Sequence, residues 1–144
     1  MPGERKDPYR GFRYRVEIEG IQQAGFSEVS GFSTTVDIIE YREGNETTTP
    51  RKLPGLTKYG NITLKWGVTD SVDMYKWIEN AVNGTIERKS VTIIAIDEAG
   101  TDVATWQIIE AWPTKYTAPN FNAKGNEVAI ESLELAHEGL TRTV

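Results

Sequence analysis

The sequence predicts a strand-rich domain with one helix, on three observations. Residues 12–19 alternate apolar and polar side chains, residues 61–66 do so again, and 70–83 spaces its apolar residues by three and four. Alternation is the mark of a half-buried strand, and the wider spacing that of an amphipathic helix.

In 12–19, Phe12, Tyr14, Val16 and Ile18 point one way, and Arg13, Arg15, Glu17 and Glu19 the other. Gly20 interrupts the run, and 24–29 offers a short partner strand before a turn at Gly31. Residues 32–42 form a longer extended run, rich in β-branched and aromatic residues. Its apolar side changes phase at Ile38 and Ile39, which requires either cover on both faces or a bulge. From 44 to 60 periodicity fails, and two prolines, three glycines and the Thr47-Thr48-Thr49 tract predict an extended loop. Such a loop exceeds the usual connection of about 4–6 residues, and long loops commonly carry function. Ile62, Leu64 and Trp66 then face one way, with Thr63 and Lys65 opposite.

The helix is expected at about 70–83, with Asp70 as N-cap and Asp73 near the positive helix end. Met74, Trp77, Ile78, Ala81 and Val82 make its apolar stripe, and Asn83-Gly84 supplies a left-handed stop. Two strands follow at 90–96 and 103–112, joined as a hairpin by Asp97-Glu98-Ala99-Gly100. Trp112-Pro113 is expected to end the second, because proline has no amide proton to donate. An aromatic and Asn-rich connection spans 115–125. The last strand is read at 128–136, with a helix as the alternative reading of the same pattern. Val128 and Ile130 share one parity there and Leu133 and Leu135 the other, so a bulge is expected near Glu131 or Ser132.

With 144 residues the chain fits one domain, 1–144, able to build a core without staples. Hydrophobic content of 38% and charged content of 26% read as globular rather than disordered. The net charge of -5 argues against nucleic-acid or anionic-membrane binding driven by overall charge. The absence of cysteine excludes disulfides and thiolate metal sites. No run is apolar and long enough to cross a membrane, and no stable membrane binding is expected. The charged start, Met1 to Gly11, lacks the apolar core of a secretory signal, so synthesis in the cytoplasm is expected.

Groups that could carry catalysis are few. His137 is the single histidine and has nothing convergent with it in the sequence. Phosphate-cradling and nucleophile-elbow motifs are missing; Gly25-Phe26-Ser27-Glu28-Val29 lacks a closing glycine. Asp97 and Glu98 read as turn residues, and with Asp102 they lack the alternating pattern of a calcium loop. Neither an enzyme, a metal site nor a cofactor is expected.

The charged feature that stands out is the cluster Arg42, Arg51, Lys52 and Lys58, mixed with Glu40, Glu43 and Glu46. A region carrying both signs can meet a copy of itself with complementary patches that fix register. Tyr59, Trp112, Tyr116 and Phe121 fall at strand ends or in loops, the aromatic type enriched at interfaces. Sugar stacking in a carbohydrate-binding module is the other use of such rings.

Several runs resemble one family over nearly the whole chain. Residues 39–44, 51–67 and 74–78, then 111–116, 126–131 and 135–140, are similar in order and spacing to the tail tube proteins of contractile phages and related injection systems, as is the opening Gly25-Phe26-Ser27-Glu28-Val29-Ser30-Gly31. The resemblance implies a mainly β fold of two packed, largely antiparallel sheets with one flanking α-helix. It implies hexameric rings that stack into a hollow tube, passing DNA or protein cargo and driven out by sheath contraction. The implied partners are further copies of the chain, a sheath protein, and baseplate, tube-initiator and terminator proteins. The region at about 44–60 would reach the next ring, with Arg42, Glu43, Glu46, Arg51, Lys52, Leu53, Leu56, Lys58 and Tyr59 as its contacts. The polar faces Arg13/Arg15/Glu17/Glu19 and Thr105/Gln107 are alternative linings for the bore. A tube-initiating or baseplate adaptor of the same fold remains an alternative.

Overall fold

Nine strands and one helix are arranged around a core of aliphatic and tryptophan side chains in a computed structural model that describes residues 13–21, 25–42, 44, 50–121 and 129–143. The chain order is β1 (Arg13–Ile18), β2 (Phe26–Ser30), β3 (Thr34–Tyr41), β4 (Arg51–Tyr59), β5 (Ile62–Gly67), α1 (Asp73–Val82), β6 (Lys89–Ile96), β7 (Asp102–Thr117), β8 (Ile130–Ala136) and β9 (Gly139–Thr143). All the strand pairings are antiparallel.

The long strand β7 organises the body. Its first half lies between β6 and β9, with β1 beyond β6. Its second half pairs with β8, followed by β5 and β2. The two sheets are therefore joined through one strand that turns a corner. The turn falls at Glu110, a non-glycine residue with φ 54°. There β7 carries one residue more than β6, since Lys89 faces Ala111 while Val91 faces Ile108. Bulges bend strands in this way and let a chain pass between sheets.

Pro113 consequently does not end the strand, contrary to expectation. It lies opposite Leu135, and the register slips just after it. This half of β7 is an edge of its sheet, and edge strands and bulges are where a missing amide proton is tolerated. The connection expected at 115–125 is still strand through Thr117.

Core positions follow the alternation read from sequence. Ile62, Leu64, Leu133 and Leu135 are wholly buried and directly opposed, Ile62 to Leu135 and Leu64 to Leu133. Each such side chain contributes about 1.5–3 kcal/mol through burial. On the other sheet Val16 faces Ile93 and Ile18 faces Val91. Glu131 joins the inner face beside these leucines. Its carboxylate accepts the Trp66 Nε1–H at 2.8 Å and the Tyr116 hydroxyl at 2.5 Å. Burial, the hydrogen bond to Glu131 and that residue's negative charge push the Tyr116 hydroxyl up to about 12.

The bulge expected near Glu131 is absent, because β8 keeps an unbroken register with β5 from Ile130 to Leu135. Ile130 is instead exposed on the outer face; Val128 lies outside the described residues. The partner of β2 is β5 rather than the first strand. A ninth strand, the short and polar β9, was not anticipated.

The helix forms as its pattern requires, burying Met74 and Trp77, while Val82 at its end is exposed. It begins later than Asp70: Val72 holds the N-cap position, without a side-chain cap. Asn83 is its C-cap and Gly84 follows with φ 97°. The Trp77 indole N–H donates to the Glu87 carbonyl at 2.8 Å, tying the helix to the segment leading into β6.

Candidate functional site

The segment expected as a loop over 44–60 is, from Arg51 to Tyr59, the strand β4. Leu53, Thr57 and Tyr59 pair it with the β-branched run of β3, and Pro54 and Gly55 are accommodated because neither edge of the ribbon belongs to a sheet interior. The phase change noted at Ile38 and Ile39 is met on the partner strand: Val36 faces Thr57 and Ile38 faces Pro54, leaving β4 one residue longer around Gly55 and Leu56.

Among the described residues β3 and β4 pair only with each other and form a two-stranded arm. Both of its faces carry exposed apolar side chains. Val36, Ile38 and Glu40 share one parity on β3, and Asp37, Ile39 and Tyr41 the other. Ile38 is 64% exposed and Leu56 75%. An isolated two-stranded ribbon is marginally stable by itself, and its free edges invite pairing.

The root of the arm is held firmly. Gly60 N–H donates to the Ser33 carbonyl at 3.0 Å. His137, at the β8–β9 turn, sets Nε2 2.9 Å from the Gly60 carbonyl and Nδ1 3.2 Å from that of Gly139. Its ring lies against Tyr59 with centroids 5.4 Å apart. The lone histidine thus fastens the arm to the body.

Of the interface residues expected from sequence, Arg51, Lys52, Leu53, Leu56, Lys58 and Tyr59 lie on β4, and Arg42 just beyond β3. Glu43 and Glu46 lie outside the described residues. Lys58 pairs with Asp37 at 2.9 Å across the ribbon, so part of the charge pattern serves the arm itself. Sequence reasoning missed β3 as the other half of this surface. The signal was present in Val36, Ile38, Ile39 and Tyr41, apolar at both parities beside a segment with no core partner to offer them.

Two further surfaces complete the description. The outer faces of β1 and β7, read from sequence as alternatives, are one surface: Arg15 faces Ile94, which faces Thr105, and Glu17 faces Thr92, which faces Gln107. The Arg15 guanidinium there is bound by Glu17 at 3.1 Å and Asp102 at 3.2 Å. At the open end of the two sheets, by contrast, lies an apolar cleft of about 330 Å³. Tyr14, Val29, Phe32, Ala95, Val103 and Trp106 contribute to its walls, and Arg142 stands at its lip, 5.5 Å from the Trp106 ring centre.

Residues 10–141 match the family described as T4-like virus tail tube protein gp19. Among solved structures, a chain of the anti-feeding prophage cap (the AFP tube terminating cap) is 34% identical, with a TM-score of 0.85 over 97% of this chain and 93% of its own. A chain of the sheath-tube complex of PVC, an extracellular contractile injection system in its extended state, is 32% identical, with a TM-score of 0.84 over 94% and 91%. Hcp1 from Flavobacterium johnsoniae shares the fold at 17% identity, with a TM-score of 0.64 over 90% and 93%. No curated protein matches the sequence.

Proposed function

The chain belongs to the T4-like virus tail tube protein family, and from that premise we propose that six copies close into a ring and that rings stack into a hollow conduit. The chain is a tube subunit of a phage-tail-like contractile system. Its work is mechanical: no bond is made or broken, and the protein acts as a rigid pipe rather than an enzyme. A sheath surrounds the tube and drives it forward, a baseplate or initiator starts it, a terminator ends it, and DNA or protein cargo passes through. The chain is synthesised in the cytoplasm and assembled into a phage tail or injection particle.

The observation that carries this reading is the β3–β4 arm. Among the described residues it exposes apolar side chains on both faces and two free edges, a surface suited to cover by a second chain. Contact between different surfaces of identical chains closes into rings around one axis and runs on as a filament along another. The arm makes the contacts between rings, through Arg42, Glu43, Glu46, Arg51, Lys52, Leu53, Leu56, Lys58 and Tyr59. The polar outer face of β1, β6 and β7 lines the bore. Arg15 on that face is already neutralised by two carboxylates, which leaves hydroxyls and amides with Arg13 as an exposed cation and so few charges to hold a nucleic acid in transit.

Negative-stain electron microscopy of the purified protein over a concentration series tests the reading. Six-membered rings or hollow tubes are expected. Particles that stay monomeric at high concentration, with or without a baseplate to nucleate them, would overturn it. Replacing Arg51 and Lys52 together by glutamate should leave rings but stop stacking; full-length tubes from that variant would remove the arm from the inter-ring contact.

A further inference from the structure

The apolar cleft between the open ends of the two sheets has no occupant from its own chain among the described residues. It is lined by tryptophan, tyrosine, phenylalanine and aliphatic side chains, the kind of surface that a stable fold does not leave to water. We propose that this cleft is the socket for the arm of a second copy, entered by Val36 and Ile38 of β3, with Glu40 meeting Arg142 at the lip. The inference rests on the tube reading and names the two surfaces that meet.

Three features point to this occupant. The first is shape and chemistry. Val36 and Ile38 stand on one face of β3, 49% and 64% exposed, and the cleft has room for such branched aliphatic side chains. The second is charge. Glu40 follows Ile38 on the same face, about 7 Å along the strand, and forms no ion pair among the described residues. Arg142 at the lip touches Trp106 and likewise meets no carboxylate there. An apolar pair followed by an acid matches an apolar cleft edged by a cation.

The third feature is reach. Phe32, a wall of the cleft, precedes Thr34, where β3 begins, by only two residues. The arm therefore leaves from the cleft's own wall as a paired ribbon, with its root fixed by Ser33, Gly60 and His137. Ile38 lies about 20 Å of extended chain beyond Phe32. A ribbon so anchored cannot double back into the socket beside its root, whereas it can enter a neighbour's. The contact joins unlike surfaces, which lets identical copies run on from one ring to the next.

The absence of cysteine makes the test direct. Ile38→Cys is combined with Ala95→Cys on one wall of the cleft, or with Val103→Cys on another, and particles are oxidised and run on a non-reducing gel. A disulfide demands Cα atoms within about 7 Å, so bonding reports contact. The expected result is loss of the monomer band into an open ladder of multimers that runs from ring to ring. Ile38→Cys with Gln107→Cys, on the opposite face of the sheet, should stay monomeric on the gel. Particles seen by microscopy in which neither wall position bonds would overturn the socket while leaving the tube intact. Absence of particles from the unsubstituted protein would instead overturn the tube reading. The unsubstituted protein also gives a second measurement, independent of the variants. Fluorescence of anilinonaphthalene sulfonate on dissociated subunits should fall several-fold on assembly, and undiminished fluorescence in tubes would mean the cleft is uncovered and the proposal wrong.

Discussion

Replacing Glu131 should cost stability in a way that depends on a single indole. Its carboxylate accepts from Trp66 Nε1 at 2.8 Å and from the Tyr116 hydroxyl at 2.5 Å. Trp66 is 1% exposed, so after Glu131→Ala its N–H has no water to turn to. A buried donor left without a partner costs about 1–3 kcal/mol. The Tyr116 hydroxyl is nearer solvent and adds little. Glu131→Gln keeps a carbonyl for the indole, and a tyrosine hydroxyl can accept from the new amide, so about 0.5–1.5 kcal/mol is expected. The assay is urea denaturation at one low protein concentration, because assembly would add its own stability. In a Trp66→Phe background the alanine substitution should lose most of its effect, the coupling that a double-mutant cycle isolates. A loss below about 0.5 kcal/mol for Glu131→Ala, the range of ordinary surface changes, would refute the reasoning. So would an equal loss in both backgrounds.

The same network sets an alkaline limit. The Tyr116 hydroxyl is held up at about 12 when folded, against an ordinary value of 10.0. The folded chain therefore keeps a proton that the unfolded chain loses, and this contribution is complete below pH 10 and lost as pH rises through about 12. Melting temperature followed against pH should fall less steeply across that window for Tyr116→Phe than for the parent. In the core, Leu133→Ala should cost about 2–5 kcal/mol, since Leu133 is wholly buried between Leu64 and Tyr116; a denaturation midpoint within error of the parent would contradict the packing. Gly31→Ala should destabilise by about 1–3 kcal/mol, because φ is 88° and the added Cβ would stand 2.4 Å from the Asn61 carbonyl oxygen. An unchanged melting temperature would show that the arm root relaxes freely.

Much of the body was legible from residue order. The alternation in 12–19 and 61–66, the helix stripe and the hairpin at 97–100 all reflect local rules: side chains alternate on a strand, repeat every three or four on a helix, and glycine takes the left-handed turn position. Two failures have one cause. Pro113 was read as a strand end and 44–60 as a loop because proline and glycine were weighed for their local effect. The cost of a missing amide proton depends on whether a neighbouring strand needs it, and among the described residues both segments have one open edge where none does. The β8 bulge was inferred from parity alone, whereas Ile130 simply faces solvent.

The candidate site shows the same division. The charged half of the arm was visible as a cluster of opposite signs around Arg51 and Lys52. Its apolar half on β3 was not, since Val36, Ile38 and Ile39 look like core residues until the fold denies them a core. Nor could the sequence place Arg15 and Thr105 on one surface, or bring Tyr14, Phe32, Trp106 and Arg142 around one cleft. By itself the sequence determined most of the elements, the buried faces of most strands and, through its family resemblance, the role of tube subunit. Only the tertiary structure decided which strands are neighbours, that β7 turns between two sheets, and that β3 and β4 stand apart as an arm. Periodicity records which side of an element is buried, and it carries no information about what lies across from it.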